Sequence, residues 1–168
     1  MRPTVYLTGF MGSGKSAVGR ELARVLRRRF VDLDAAVERE AGTSVAALFE
    51  KRGEPAFRRL ERRALQKVAR TGGLVVALGG GALLDKRNLA LVERNGILIR
   101  LTCSRRELVR RLRPSRASRP LLAGGSLDAR VARLLAARKG AHGDALWSVS
   151  TTGRTNAAAA ALIARRLS

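Results

Sequence analysis

A parallel β-sheet covered by helices on both faces is the fold this sequence predicts, and three observations carry the prediction. Short apolar runs alternate with longer amphipathic ones along the 168 residues. The runs are largely continuous in their apolar character, as in strands buried on both sides. The first run, TVYLT, passes through a glycine-rich turn directly into a helix-like stretch, the order expected where a strand feeds a crossover helix.

The elements follow in chain order. TVYLT (4–8) reads as a buried strand and 16–29 as a helix, and FVDL (30–33) is a second strand. Residues 35–70 are largely helical, broken near Gly42-Thr43 and at Gly53-Glu54-Pro55. LVVAL (74–78) is a third strand and ends in Gly79-Gly80-Gly81. A helix over 85–95 takes Asp85 as its cap, and GILIRLT (96–102) is a fourth strand. Ser104 to Glu107 has the form of a capping box and opens another helix. Residues 131–139 are helical, ALWSVS (145–150) is a fifth strand, and 156–167 close with a helix. The length fits one domain over 1–168, and no internal repeat is visible.

Residues 113–126, RPSRASRPLLAGGS, stand apart with two prolines, two glycines and the arginines Arg113, Arg116 and Arg119. They read as a solvated surface loop, or as a mobile lid that brings arginines over a phosphate.

Composition narrows the function classes. Apolar residues are 46% of the chain, which argues against disorder. No apolar run approaches the roughly 20 residues of a membrane span. The N-terminus enters a strand-like run at once and lacks the features of a signal peptide. A single cysteine, Cys103, excludes an internal disulfide and reads as a packed small residue. Cytoplasmic localisation is expected, with no membrane partner and a monomeric chain. The formal charge is +21, from 34 basic and 13 acidic residues, and such a chain attracts phosphates. The charge is nearly all arginine, spread over every helix, and aromatics at 4% are too few for a base-stacking platform. Nucleic acid is therefore not the expected partner.

Gly9 to Ser16, GFMGSGKS, fits G-x-x-x-x-G-K-[ST] without a mismatch and lies between a strand and a helix. The glycines let successive backbone N–H groups curl round an anion, and the following helix adds its positive end. Lys15 is placed to reach the β- and γ-phosphates of a nucleotide, and Ser16 to offer its hydroxyl oxygen to Mg²⁺. The motif marks a phosphoryl donor and leaves the acceptor open.

The acceptor side rests on several weaker signals. Asp32 and Asp34 sit at i and i+2 at the end of the second strand, on the crevice side of a parallel sheet. One carboxylate can hold magnesium through water and the other can orient or deprotonate an attacking hydroxyl. Strand-end and helix-cap aspartates are the other reading. In GEPAFRRLE (53–61), Arg58 lies four residues after Glu54 and three before Glu61. That spacing is an ordinary helix ion-pair ladder, or a planar fork held by Glu61 to grip a carboxylate. Gly79-Gly80-Gly81 exposes backbone N–H groups where one glycine would serve a turn.

Together and in this order, GFMGSGKS, FVDLD, the stretch Gly42 to Glu61, ALGGGALL and SRPLLAG resemble the shikimate kinase family over nearly the whole chain. The resemblance implies a three-layer P-loop kinase fold with a mobile lid at about 113–126 and an acceptor-binding helical segment at about 34–61. It implies ATP as co-substrate, Mg²⁺ as cofactor, and transfer of the γ-phosphoryl to the 3-hydroxyl of shikimate in aromatic amino-acid biosynthesis. Gly12, Ser13, Gly14, Lys15, Ser16 and Ala17 would wrap the ATP phosphates, with Ser16 on magnesium and Asp32 supporting that ion. Asp34 would hold shikimate hydroxyls and help activate the attacking one. Arg58 and Arg138 would bind the shikimate carboxylate, Gly80 and Gly81 its ring hydroxyls, and Phe49 and Phe57 would line the pocket. Arg119 would close over the phosphates with the lid, and Arg154 matches the position that flanks adenine.

One departure stands out. The family often shows Arg-x-Pro-x-Tyr where this chain has Arg138-Lys-Gly-Ala-His142. Gly140 stands for the proline. His142, the only histidine, replaces the tyrosine and reads as a surface or helix-end residue.

Overall fold

The first strand, β1 (Thr4–Thr8), is buried along its whole length, and its alternation organises the molecule. Val5 and Leu7 point into one apolar layer and Tyr6 into the other, because successive side chains of a strand face opposite ways. A computed structural model describes residues 2–139, 145 and 147–168. The remaining strands are β2 (Phe30–Asp32), β3 (Val75–Ala77), β4 (Gly96–Thr102) and β5 (Trp147–Ser150). All pair in parallel, in the order β2-β3-β1-β4-β5.

Helices α1 (Lys15–Leu26) and α7 (Asn156–Leu167) cover the Val5 face, burying Val18, Leu22 and Ile163. Helices α2 (Leu33–Ala41), α3 (Val45–Thr71) and α4 (Lys86–Asn95) cover the Tyr6 face, burying Val37, Leu65 and Val92. Each fully buried leucine or valine contributes roughly 1.5–3 kcal/mol from apolar burial. A third small core joins α5 (Arg105–Leu112) and α6 (Leu127–Ala137) to Phe10 and Leu122. It ties the lid segment to the end of β1.

Local chemistry sets the boundaries. The side chains of Ser44, Asp85, Ser104, Ser126 and Thr155 accept backbone N–H bonds and start α3, α4, α5, α6 and α7. Such caps are each worth about 1 kcal/mol. The two expected breaks in 35–70 are present: α2 ends at Gly42, and α3 is kinked at Gly53 (φ +74°), two residues before Pro55.

Three expectations are corrected. The second strand stops at Asp32, not Leu33, because Asp32 turns to cap α2 by accepting from the N–H groups of Asp34 and Ala35. Asp34 is therefore in the first turn of a helix rather than on a strand face. Helix α6 begins at Leu127, four residues before the expected start, because Ser126 caps it. The segment 113–126 is not unstructured: Arg113–Ser118 and Pro120–Leu122 form short 3₁₀ turns. Gly140 and His142 lie outside the described residues, as does part of the expected 145–150 strand.

β1 and β3 are neighbours, yet α1 and α4 pack on opposite faces of the sheet. Their C-terminal ends thus border a crevice at a topological switch point, the place where open parallel sheets bind ligands. The glycine-rich loop follows β1 and the triple-glycine turn follows β3, so both motifs open on that crevice.

Candidate active site

The loop between β1 and α1 has the form of an anion cradle. Gly12 and Gly14 adopt φ of +79° and +100°, a region closed to most side chains, and Gly14 directly precedes α1. A Cβ on Gly12 would also stand 2.9 Å from Leu112 Cγ, so the loop is pressed against the root of the lid. The first helical backbone bond runs from Val18 N–H to the Gly14 carbonyl. The N–H groups of Lys15, Ser16 and Ala17 precede that ladder and face the helix's positive end.

Lys15 Nζ bridges the loop, donating to the carbonyls of Gly9 at 2.9 Å and Phe10 at 3.1 Å. Burial lowers its pKa to about 8, against the opposing pull of Asp34. Ser16 Oγ donates to Asp32 Oδ2, which joins the loop to the end of β2. The two oxygens form a hard donor pair open to phosphate and water ligands, and that chemistry fits Mg²⁺. Among the described residues no group of three or more His, Cys, Asp or Glu side chains gathers to hold a metal by itself.

Beyond the loop lies a cleft of about 350 Å³. Asp34, Phe49, Phe57, Arg58, the three glycines, Arg119 and Arg138 all line it, as does Glu61. Phe49 and Phe57 pack with ring centroids 5.0 Å apart and give it an apolar wall. The Arg58 guanidinium lies 5.1 Å from the Phe57 ring centroid, and that of Arg138 lies 5.6 Å from Phe10. Arg58 donates to Glu61 Oε2 at 2.8 Å and to Glu54 Oε1 at 3.0 Å. Arg58 is thus in the helix ladder of the first sequence reading, and its side chain also lines the cleft.

Arg138 is buried and donates to the Gly80 carbonyl at 3.0 Å. Burial and then the nearby positive charge of Arg58 lower its pKa. Two guanidinium groups facing one space attract an anion into it. Opposite them, burial raises the pKa of Asp34, with Asp32 adding to the effect and Lys15 opposing it. Burial also raises that of Glu61, partly offset by Arg58.

The three glycines are small for three different reasons. A Cβ on Gly79 would collide with Glu61 Oε1 and stand 2.9 Å from Asp34 Oδ1. On Gly80 it would stand 3.2 Å from Arg138 Nη1 and 3.4 Å from Met11 N. On Gly81 it would meet Arg58 Nη2 at 2.6 Å. The turn is the surface against which Asp34, Arg58, Glu61 and Arg138 are packed.

The arginines of 113–126 divide. Arg119 lines the cleft and donates to Ser115 Oγ at 3.0 Å. Arg116 is bound within the lid by the carbonyls of Leu122, Gly124 and Gly125, and Arg113 is exposed away from the cleft. Arg154 is exposed in the turn after β5 and does not line the cleft. Sequence reasoning missed Met11, Glu38 and Ser44, which also line it. Glu38 was findable, since it lies one helical turn after Asp34 and so shares its face.

A phosphate cradle at a sheet switch point, joined to a cleft with paired guanidinium groups, defines a P-loop small-molecule kinase. The family model described as shikimate kinase matches residues 11–168. A shikimate kinase of Geobacter sulfurreducens is 43% identical over 151 residues, covering 90% of this chain and 83% of its own. One from Synechococcus is 44% identical over 149 residues, covering 89% and 76%. The solved shikimate kinase of Acinetobacter baumannii, in complex with shikimate, superposes with a TM-score of 0.95 at 32% identity, covering 99% of this chain and 93% of its own. The Aquifex aeolicus enzyme superposes with a TM-score of 0.84 at 30% identity, covering 98% and 95%. The chain belongs to the shikimate kinase family and is an ATP-dependent kinase.

Proposed function

We propose that this chain transfers the γ-phosphoryl group of ATP to the 3-hydroxyl of shikimate, giving shikimate 3-phosphate and ADP. The observation that carries the reading is the cleft beside Lys15, in which a guanidinium pair faces the half-buried Asp34 carboxyl across a glycine turn. That set suits a small acceptor bearing both a carboxylate and hydroxyl groups.

Each part has a task. The N–H groups of Gly12 to Ala17 and the Lys15 ammonium hold the triphosphate and neutralise charge on the transferring group. Ser16 and Asp32 would hold Mg²⁺, which when bound supplies further positive charge to the phosphate oxygens. Arg58 grips the shikimate carboxylate with its planar fork, and Arg138 adds a second guanidinium. The backbone of Gly80 and Gly81 contacts ring hydroxyls, and Phe49 and Phe57 pack on the ring. Asp34 hydrogen-bonds the attacking hydroxyl and takes its proton as the oxygen–phosphorus bond forms. Arg119 adds charge over the phosphates when the lid closes, and closure excludes water as a competing acceptor. Arg154 flanks adenine. The enzyme works as a cytoplasmic monomer in aromatic amino-acid biosynthesis.

ADP release measured with shikimate, quinate, gluconate and nucleosides tests the acceptor. The highest kcat/KM is expected for shikimate, and a preference for any other acceptor overturns the proposal. Omitting Mg²⁺ in the presence of a chelator should abolish turnover.

A further inference from the structure

A turn of three glycines carries no side chain to fix its own shape, and glycine loses more backbone freedom on ordering than any other residue. Something outside the turn must hold it. At its N-terminal end it continues β3, and Leu78 N–H donates to the Leu7 carbonyl at 3.0 Å. At its C-terminal end the holding group is Asn88, in the first turn of α4. Asn88 is 2% exposed, and its Nδ2 donates to the Ala82 carbonyl at 2.9 Å. Ala82 is the residue after Gly81, and its own N–H donates back to the Gly79 carbonyl at 3.1 Å. One side-chain amide therefore fixes the peptide that closes the turn.

A second contact sets where that amide stands. Arg62 Nη2 donates to Asp85 Oδ2 at 2.6 Å, while Asp85 Oδ1 caps α4 through Arg87 N–H at 2.9 Å. Arg62 is one turn along α3 from Arg58 and adjacent to Glu61. The same helix thus presents the carboxylate grip and, through Asp85, seats the N-terminus of α4 that carries Asn88.

Resting on the shikimate reading above, we propose that Asn88 is a positioning residue for the acceptor. It fixes the Gly80–Gly81 backbone in register with the Arg58 fork through its bond to the Ala82 carbonyl, with Arg62 and Asp85 holding it in place. It touches no reacting atom and has no part in the phosphate cradle, so its loss loosens the acceptor and leaves the donor alone.

Asn88→Asp keeps the shape and replaces the donor with an oxygen facing the carbonyl; Asn88→Ala removes the group. Steady-state kinetics of either should show the KM for shikimate raised by about fivefold or more, with the KM for ATP within about twofold of the wild type. Hydrogen exchange of the amides of Ala82 and Leu84 should quicken, while that of the 9–17 loop stays unchanged. A folded variant whose two KM values rise together, or whose shikimate KM does not move, overturns the proposal. If neither variant folds by thermal melting, Arg62→Gln, at a partly exposed site, decides the matter: a selective rise in shikimate KM supports it and none overturns it. Should the wild type prefer a different acceptor, the functional reading fails on its own, and the same KM split is then measured on that acceptor.

Discussion

Arg58 Nη1 donates to Glu61 Oε2 at 2.8 Å from within a single helix, with the Glu61 side chain fully buried and that of Arg58 23% exposed. The carboxylate inside thus holds a guanidinium whose other face is open to the cleft. Arg58→Ala should raise the KM for shikimate roughly tenfold to a hundredfold, as expected for a charge-assisted bidentate contact. The KM for ATP should hardly change. Initial-rate measurements with each substrate varied in turn check this, and an unchanged shikimate KM removes Arg58 from the acceptor site.

Asp34 links activity and stability in opposite senses. Burial, reinforced by Asp32, raises its pKa above 3.8. A carboxyl with a raised folded value binds its proton more tightly in the native state. Its contribution favours folding below the unfolded value and is lost as pH rises through the folded one. Asp34→Asn should therefore raise Tm at pH about 8, with the gain shrinking toward pH about 4. The same change should lower kcat by roughly 10²–10⁴. Melting curves across pH, run beside turnover assays, test both; a lower Tm at neutral pH contradicts the sign argued here.

Lys15 provides a second titration. Its pKa, lowered to about 8, places loss of the ammonium within an accessible range. The pH profile of kcat/KM for ATP, which reports the free enzyme, should fall on the alkaline side through about pH 8. Lys15→Arg should move that limb beyond the measurable range, and Lys15→Ala should lower kcat by about a hundredfold or more. A flat profile from pH 7 to 10 in the wild type would falsify the assignment.

Gly79→Ala places a methyl group against Glu61 Oε1 and beside Asp34 Oδ1. Both carboxyls must move, so shikimate KM should rise and kcat fall together, by about tenfold each. Gly42→Ala offers a contrast, since nothing lies within 4 Å of its added Cβ. Its positive φ costs stability, about 1 kcal/mol, without touching either substrate.

Much of this was legible in the sequence, for identifiable reasons. Strands β1 and β4 announced themselves because both are long and apolar, and the cradle because its spacing is specific. The lettering FVDLD placed Asp32 at a strand end, where it is, and offered a helix cap as the other reading; it misplaced only Asp34, because Asp32 caps α2 and takes the next residues into a helix. The start of α6 was hidden for a similar reason, since Ser126 looked like loop composition until it was seen to accept from Ala129 N–H. Arg113, Arg116 and Arg119 are alike in local composition; the family resemblance singled out Arg119, and the fold shows it lining the cleft while carbonyls bind Arg116. Arg138 reaches Gly80 from 58 residues away, a proximity no local pattern encodes.

A Cβ on Gly80 would stand 3.4 Å from Met11 N, where the loop after β1 runs beside the turn after β3. This seam runs between the two parts of the crevice. On one side stands the anion cradle; on the other, α2 and α3 carry Asp34, Phe49, Phe57, Arg58 and Glu61, which line the cleft. On the proposed function, a change of acceptor falls on the second part, and the close approach at the seam keeps position 80 a glycine.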